Sequence, residues 1–110
     1  ILAGYSFGAC VALSYCRRPK HGVTHLFLVA PPPALLEEGV SLEIPEMKKI
    51  VLGEKDVLAP PGEVEAMLSE SARGSLLEVI PGADHFFGGK DRELRQVFER
   101  LFSEVTVRLQ

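Results

Sequence analysis

The chain has 110 residues, enough for one domain at most, and its 46% hydrophobic and 25% charged content is ordinary for a soluble globular protein. A net charge of −3 and a pI near 5.6 argue against a polyanion-binding role, so no nucleic-acid partner is expected. No apolar run approaches the ~20 residues that cross a bilayer, and the apolar N-terminus lacks the basic flank of a secretory signal, so no membrane partner is expected either.

Ile1-Leu2-Ala3 is a short apolar run suited to a buried strand, and Ala9 to Tyr15 reads as a helix rich in alanine, valine and leucine. Between them lies Gly4-Tyr5-Ser6-Phe7-Gly8, one serine between two glycines at a strand-to-helix junction, which reads as a nucleophile elbow, G-x-S-x-G. A serine on so sharp a turn takes up strained backbone angles, and a side chain at Gly4 or at Gly8 is expected to collide with the neighbouring backbone. The turn lifts the hydroxyl clear of the sheet. It also aims the N–H of Phe7, at the positive end of the helix, at the place where an oxyanion forms. Without that chemistry the stretch is a tight turn with an incidental serine.

Cys10 and Cys16 fall on different faces of this helix, too distant for a bridge, and read as reduced, small apolar packing residues. Reduced cysteines suit a cytoplasmic protein, which is the expected location. Arg17, Arg18 and Lys20 form the one dense basic cluster and read as a solvated helix end rather than a phosphate site. His21, His25 and His85 form no ligand cluster, so no metal site is expected.

After a loop marked by Pro19 and Gly22, His25 to Ala30 is a continuous apolar run and therefore a buried strand, ended by Pro31-Pro32-Pro33. Ala34 to Glu46 reads as loop with one helical turn. Met47 to Gly53 contains a third strand, Lys49 to Leu52, and the acid-bearing stretch Gly53-Glu54-Lys55-Asp56 follows it. Pro61 opens a helix with Val64, Met67, Leu68, Ser71 and Ala72 on one face and Gly74 at its end. Ser75 to Ile80 is a fourth strand, followed by a Gly-rich loop containing Asp84-His85-Phe86-Phe87. Asp91 is placed to cap a last helix, along which Leu94, Val97, Phe98, Leu101, Phe102, Val105 and Leu109 recur at three- and four-residue steps.

The expected fold class is α/β: a parallel sheet of about four strands, joined by right-handed crossovers, with helices on both faces. The chain opens inside a strand with no initiator methionine. The expectation is that residues 1–110 are the C-terminal part of a single longer domain whose N-terminal strands are missing. Ile1-Leu2-Ala3 is then an open sheet edge, through which homo-oligomers or other association can form.

Ser6, Asp56 and His85 each follow a different strand, at the C-terminal edge where open α/β sheets bind ligands. A serine hydroxyl is a poor nucleophile near neutrality and needs a base, which in turn needs an acceptor to hold its tautomer. His85 is the candidate base, since it lies after the last strand in the order serine, acid, histidine. Asp56 is favoured as the acid because the turn Asp56 to Pro60 can hold a carboxylate over the sheet. Glu54 and Asp84 compete for that role, although Asp84 adjoins His85 and its side chain should diverge from it.

With G-Y-S-F-G as elbow, G-E-K-D-V-L-A-P as acid loop and P-G-A-D-H-F-F as histidine loop, nearly the whole chain resembles the C-terminal half of an α/β-hydrolase. It is most similar to small, lidless, dienelactone-hydrolase-like bacterial proteins, with serine where dienelactone hydrolases proper use cysteine. The resemblance implies a serine esterase or thioesterase with Ser6 as nucleophile, Asp56 as acid, His85 as base and Phe7 N–H as one oxyanion donor. It implies no cofactor and a small-molecule acyl substrate. The second oxyanion donor is expected from a loop that precedes Ile1 in the family. Phe86 and Phe87 stand either as a pocket wall or as core packing. The alternative function is a non-catalytic scaffold on the same fold, or an inactive truncated product.

Overall fold

In the computed structural model, which describes residues 1–109 and the side chains of residues 1–105, the apolar runs become β1 (Leu2–Tyr5), β2 (Leu26–Val29), β3 (Met47–Gly53) and β4 (Leu77–Ile80). All neighbours pair in parallel, in the order β1-β2-β3-β4. The helices are α1 (Phe7–Cys16), α2 (Pro61–Ala66), α3 (Glu70–Leu76) and α4 (Asp91–Leu109), with a 3-10 turn at Pro33–Leu35. The expected apolar position Leu109 lies outside the described side chains.

A strand order that advances one way, with right-handed crossovers, puts α1 and α3 on one face of the sheet. The other face is left to α4, whose Phe102 meets Phe27 edge-on at 5.8 Å and whose Arg100 pairs with Glu78 of β4. Central β2 is consequently buried along its whole length, which is why it reads as an unbroken apolar run rather than an alternating one. Leu26, Leu28, Ile50 and Leu52 are fully buried, and truncating any of them to alanine should cost about 2–5 kcal/mol.

Four expectations need correction. The helix after Pro61 is two helices, because Ser69 takes an extended backbone and its Oγ accepts from the Ala72 N–H, starting α3 afresh. Glu43 reinforces the break by accepting from both the N–H and the hydroxyl of Ser69. Gly74 does not end that helix; it lies inside α3, which runs on to Leu76, so β4 starts two residues later than the apolar run. Asp91 is the first residue of α4 rather than its cap, and with Glu93 it places negative charge in the first turn, where the helix dipole favours it. Finally β1 is not buried on both faces: Ala3 and Tyr5 are exposed, and among the described residues β1 pairs with β2 alone. A shallow apolar cleft lined by Leu2, Ala3, Gly8, Val11, Ala12 and Tyr15 lies beside it.

Candidate active site

The chain leaves β1 through Ser6, whose φ of 55° and ψ of −122° lie in a region that L-residues rarely occupy. Two bonds hold this turn: the Ser6 N–H donates to Val29 O at 2.8 Å, and Ser6 O accepts from the Ala9 N–H at 2.9 Å. Gly4 makes the turn possible, since a Cβ there would stand 2.4 Å from Gly8 O and 2.8 Å from Ala9 Cα. Gly8 departs from expectation. Its missing Cβ would point into open space, because it lies on the side of α1 that faces the cleft beside β1.

Ser6 is the N-cap of α1, yet its hydroxyl makes no capping bond. Instead Ser6 Oγ lies 2.7 Å from His85 Nε2. On the other side of the ring, His85 Nδ1 lies 2.7 Å from Asp56 Oδ2. The second Asp56 oxygen accepts from the N–H groups of Leu58 and Ala59, at 2.8 and 2.7 Å, so the turn after β3 fixes the carboxylate from both ends. Asp56 and His85 are the buried polar residues of the described chain, at 3% and 4% exposure, whereas Ser6 is half-buried and reachable. An ionised Asp56 can only accept, so Nδ1 carries the proton and Nε2 is left to accept from the serine.

The two competing acids have other employment. Glu54 Oε1 accepts from the Gly82 N–H at 2.9 Å, tying the acid loop to the root of the histidine loop. Asp84 Oδ1 accepts from the N–H groups of Phe86 and Gly88, at 2.9 and 3.3 Å, and so shapes the turn that follows His85. The two phenylalanines divide between their readings. Phe87 is buried, with a φ of 55°, while Phe86 is 75% exposed and meets the His85 ring edge-on at 5.3 Å.

Because β4 and β1 are the outermost strands among the described residues, the histidine loop has to run back across the strand ends to reach Ser6. It passes directly over the end of β3. There the Lys55 N–H donates to Ala83 O at 2.8 Å, and a Cβ on Gly53 would lie 2.5 Å from Ala83 O and 2.7 Å from Asp84 O. Gly53 is therefore a site residue that the sequence reading passed over. A glycine closing a strand just before a candidate acid was the available signal, since such glycines mark close backbone approach. Tyr5 was passed over too. Its hydroxyl donates to His85 O at 2.7 Å, and its ring stacks on the imidazole at 5.7 Å and 29°.

The Phe7 N–H, expected as an oxyanion donor, stands at the first residue of α1, and among the described residues it donates to no protein acceptor. Cys10 lies behind the elbow with its Sγ 3.9 Å from Pro32 O, and burial pushes its thiol up from 9.0. Burial, then the charge of Glu46, does the same to Cys16. Both cysteines are free, buried and held as thiols, packing groups rather than nucleophiles. His21 is structural: its Nδ1 accepts from the Val23 N–H at 2.9 Å, and its Nε2 lies 3.2 Å from Glu46. Among the described residues no group of three His, Cys, Asp or Glu side chains is arranged to hold a metal ion, and no helix is long and apolar enough to cross a membrane.

Two solved structures share this architecture. A candidate α/β hydrolase of unknown function from Agrobacterium tumefaciens matches with a TM-score of 0.78 at 29% identity, over 94% of this chain and 49% of its own. An α/β serine hydrolase homologue from Coxiella burnetii matches with a TM-score of 0.67 at 35% identity, over 90% and 47%. This chain thus spans about half the length of either structure. No protein-family profile and no curated protein matches it.

Proposed function

The chain is built on the α/β-hydrolase fold, and we propose that it is a serine hydrolase cleaving a small carboxylic ester or thioester through an acyl-enzyme on Ser6. The observation that carries this reading is the unbroken relay from Ser6 Oγ through His85 to Asp56, with both contacts at 2.7 Å. Ser6 Oγ attacks the acyl carbonyl carbon while His85 Nε2 takes its proton. The developing oxyanion is met by the Phe7 N–H at the positive end of α1, a contribution of the kind worth about 3 kcal/mol. Collapse breaks the C–O or C–S bond, and the proton on Nε2 passes to the leaving alcohol or thiol. Water then attacks the acyl-serine, gives its proton to Nε2, and the carboxylic acid leaves as that proton returns to Ser6. Asp56 stays ionised throughout and stabilises the imidazolium.

The segment between β2 and β3 contributes only a 3-10 turn and irregular turns, which favours small, freely entering substrates. The test is intact-mass analysis of the complete gene product after fluorophosphonate treatment. One adduct is expected, absent from Ser6→Ala. Labelling that survives Ser6→Ala removes the assignment, and a protein that neither labels nor turns over esters is a non-catalytic scaffold.

A further inference from the structure

We propose that Tyr5 is a positioning residue, whose hydroxyl and ring pin the far end of the histidine loop so that His85 Nε2 stays within reach of Ser6. The proposal rests on the reading of His85 as the base.

The topology creates the need. His85 is carried by the edge strand opposite to the one that carries Ser6, so its loop crosses the sheet and must be fastened at both ends. The near end is well fastened, by the Glu54 N–H on Ile80 O, the Gly82 N–H on Glu54 Oε1 and the Lys55 N–H on Ala83 O. Past β3 the ties are few. Asp56 grips the ring, Asp84 closes the turn beyond it, and both leave the main chain of His85 itself unheld. That backbone is held from β1: Tyr5 Oη donates to His85 O at 2.7 Å, across 80 residues of sequence. It is the one partner of that carbonyl among the described residues.

The ring adds a second restraint. Tyr5 lies against one face of the imidazole at 5.7 Å and also touches Phe87 at 6.5 Å, while Phe86 closes the edge. A histidine bracketed in this way has one orientation available, and that orientation joins Asp56 to Ser6. Tyr5 is suited to the task by its place in the chain. As the last residue of β1 it immediately precedes the serine, so the same turn that sets the nucleophile also sets the donor. Although the residue as a whole is exposed, partial desolvation of its hydroxyl end against the histidine loop, and then the charges of Asp56 and Asp84, raise its phenol from 10.0, in keeping with a protonated donor.

The test is Tyr5→Phe in the complete gene product, which deletes the donor and leaves the ring. Backbone hydrogen exchange across residues 81–90 should rise about tenfold, with β2 and α4 unchanged, as expected for losing one neutral hydrogen bond. In steady-state hydrolysis of an uncharged ester, kcat should fall about tenfold while KM stays within twofold. Unchanged exchange in the loop, or a raised KM at constant kcat, overturns the proposal; the latter would make Tyr5 a substrate contact. Should the variant not fold, a nuclear Overhauser contact between the Tyr5 and His85 ring protons in the unaltered protein decides, and its absence overturns the proposal. A wild-type protein that neither labels nor turns over counts against the hydrolase reading alone, and the exchange measurement then decides the Tyr5 tie by itself.

Discussion

The two ends of the same four strands are built by different rules. At the N-terminal ends the chain turns by ordinary means, with polar groups that meet solvent or a nearby carbonyl: Lys48 on Pro45 O, Lys49 on Ser75 O, Thr24 beside His25. At the C-terminal ends the backbone is forced. Ser6, Ala30 and Phe87 all hold positive φ there, against Lys20 alone among the other described non-glycine residues. The buried polar residues Asp56 and His85 also lie at this end, satisfied by each other, by the Ser6 hydroxyl and by main-chain N–H groups. Forcing the backbone and burying polar groups both cost free energy, so their concentration at one end of an otherwise regular sheet marks where geometry has been favoured over stability.

Substitutions that separate the two ends test this contrast. The largest effect should come from Asp56→Asn, which keeps the shape of the relay but lets the tautomer reverse. Steady-state assays should show kcat lowered by up to roughly 10⁴-fold, while Glu54→Gln should change it little. The opposite ranking would hand the acid role to Glu54. Next comes Gly53→Ala, which drives a methyl into two carbonyl oxygens that cannot move without dragging the histidine loop. Esterase assays and thermal melts should find activity down by about 10²-fold and stability down by about 1–3 kcal/mol. Gly74→Ala is its counterpart in α3, three residues before the N-terminal end of β4, where nothing lies within 4 Å of the new methyl. Activity should hold, and stability should rise by about 0.5–1 kcal/mol. A Gly74→Ala protein that loses activity, or a Gly53→Ala protein that keeps it, would erase the distinction between the ends.

The smallest effect concerns acid. The Ser69 hydroxyl, and then its N–H, hold the Glu43 carboxyl below its ordinary value of 4.5. A group lowered on folding stabilises the native state above its unfolded value, and that contribution fades as pH falls through the folded one. Melting temperatures of wild type and Glu43→Gln should therefore differ slightly at pH 7 and converge below that window. A gap that persists in acid would assign the effect to packing.

What could be read from the residues divides along the same contrast. The presence and order of the four strands and of α1 were legible because continuous apolar runs act locally, although α1 begins two residues before Ala9 and β1 runs on to Tyr5 rather than ending at Ala3. Ser6, Asp56 and His85 were legible as a set because each follows its own strand, and parallel strands bring such positions to one edge. What escaped reading was non-local. The division of α2 from α3 starts with the cap of Ser69 on the Ala72 N–H and is reinforced by Glu43, 26 residues away, a grip that no local pattern announces. The need for glycine at position 53 exists only once the histidine loop lies on top of it. Gly8 failed in the other direction: it shares the elbow's symmetry with Gly4, but only Gly4 faces the backbone of the helix it precedes.

The tension at Ser6 has a consequence for how this fold can drift over time. A left-handed turn held by a residue with a side chain is a standing penalty of about 1–3 kcal/mol, and glycine would remove most of it. Ser6→Gly should thus give a sturdier protein with no chemistry, which means that selection for robustness and selection for turnover pull this one codon in opposite directions. A lineage that kept the sheet merely as a platform would be free to make that exchange in a single step. If Ser6 is the nucleophile proposed above, its hydroxyl is what offsets the strain that this turn takes from the fold.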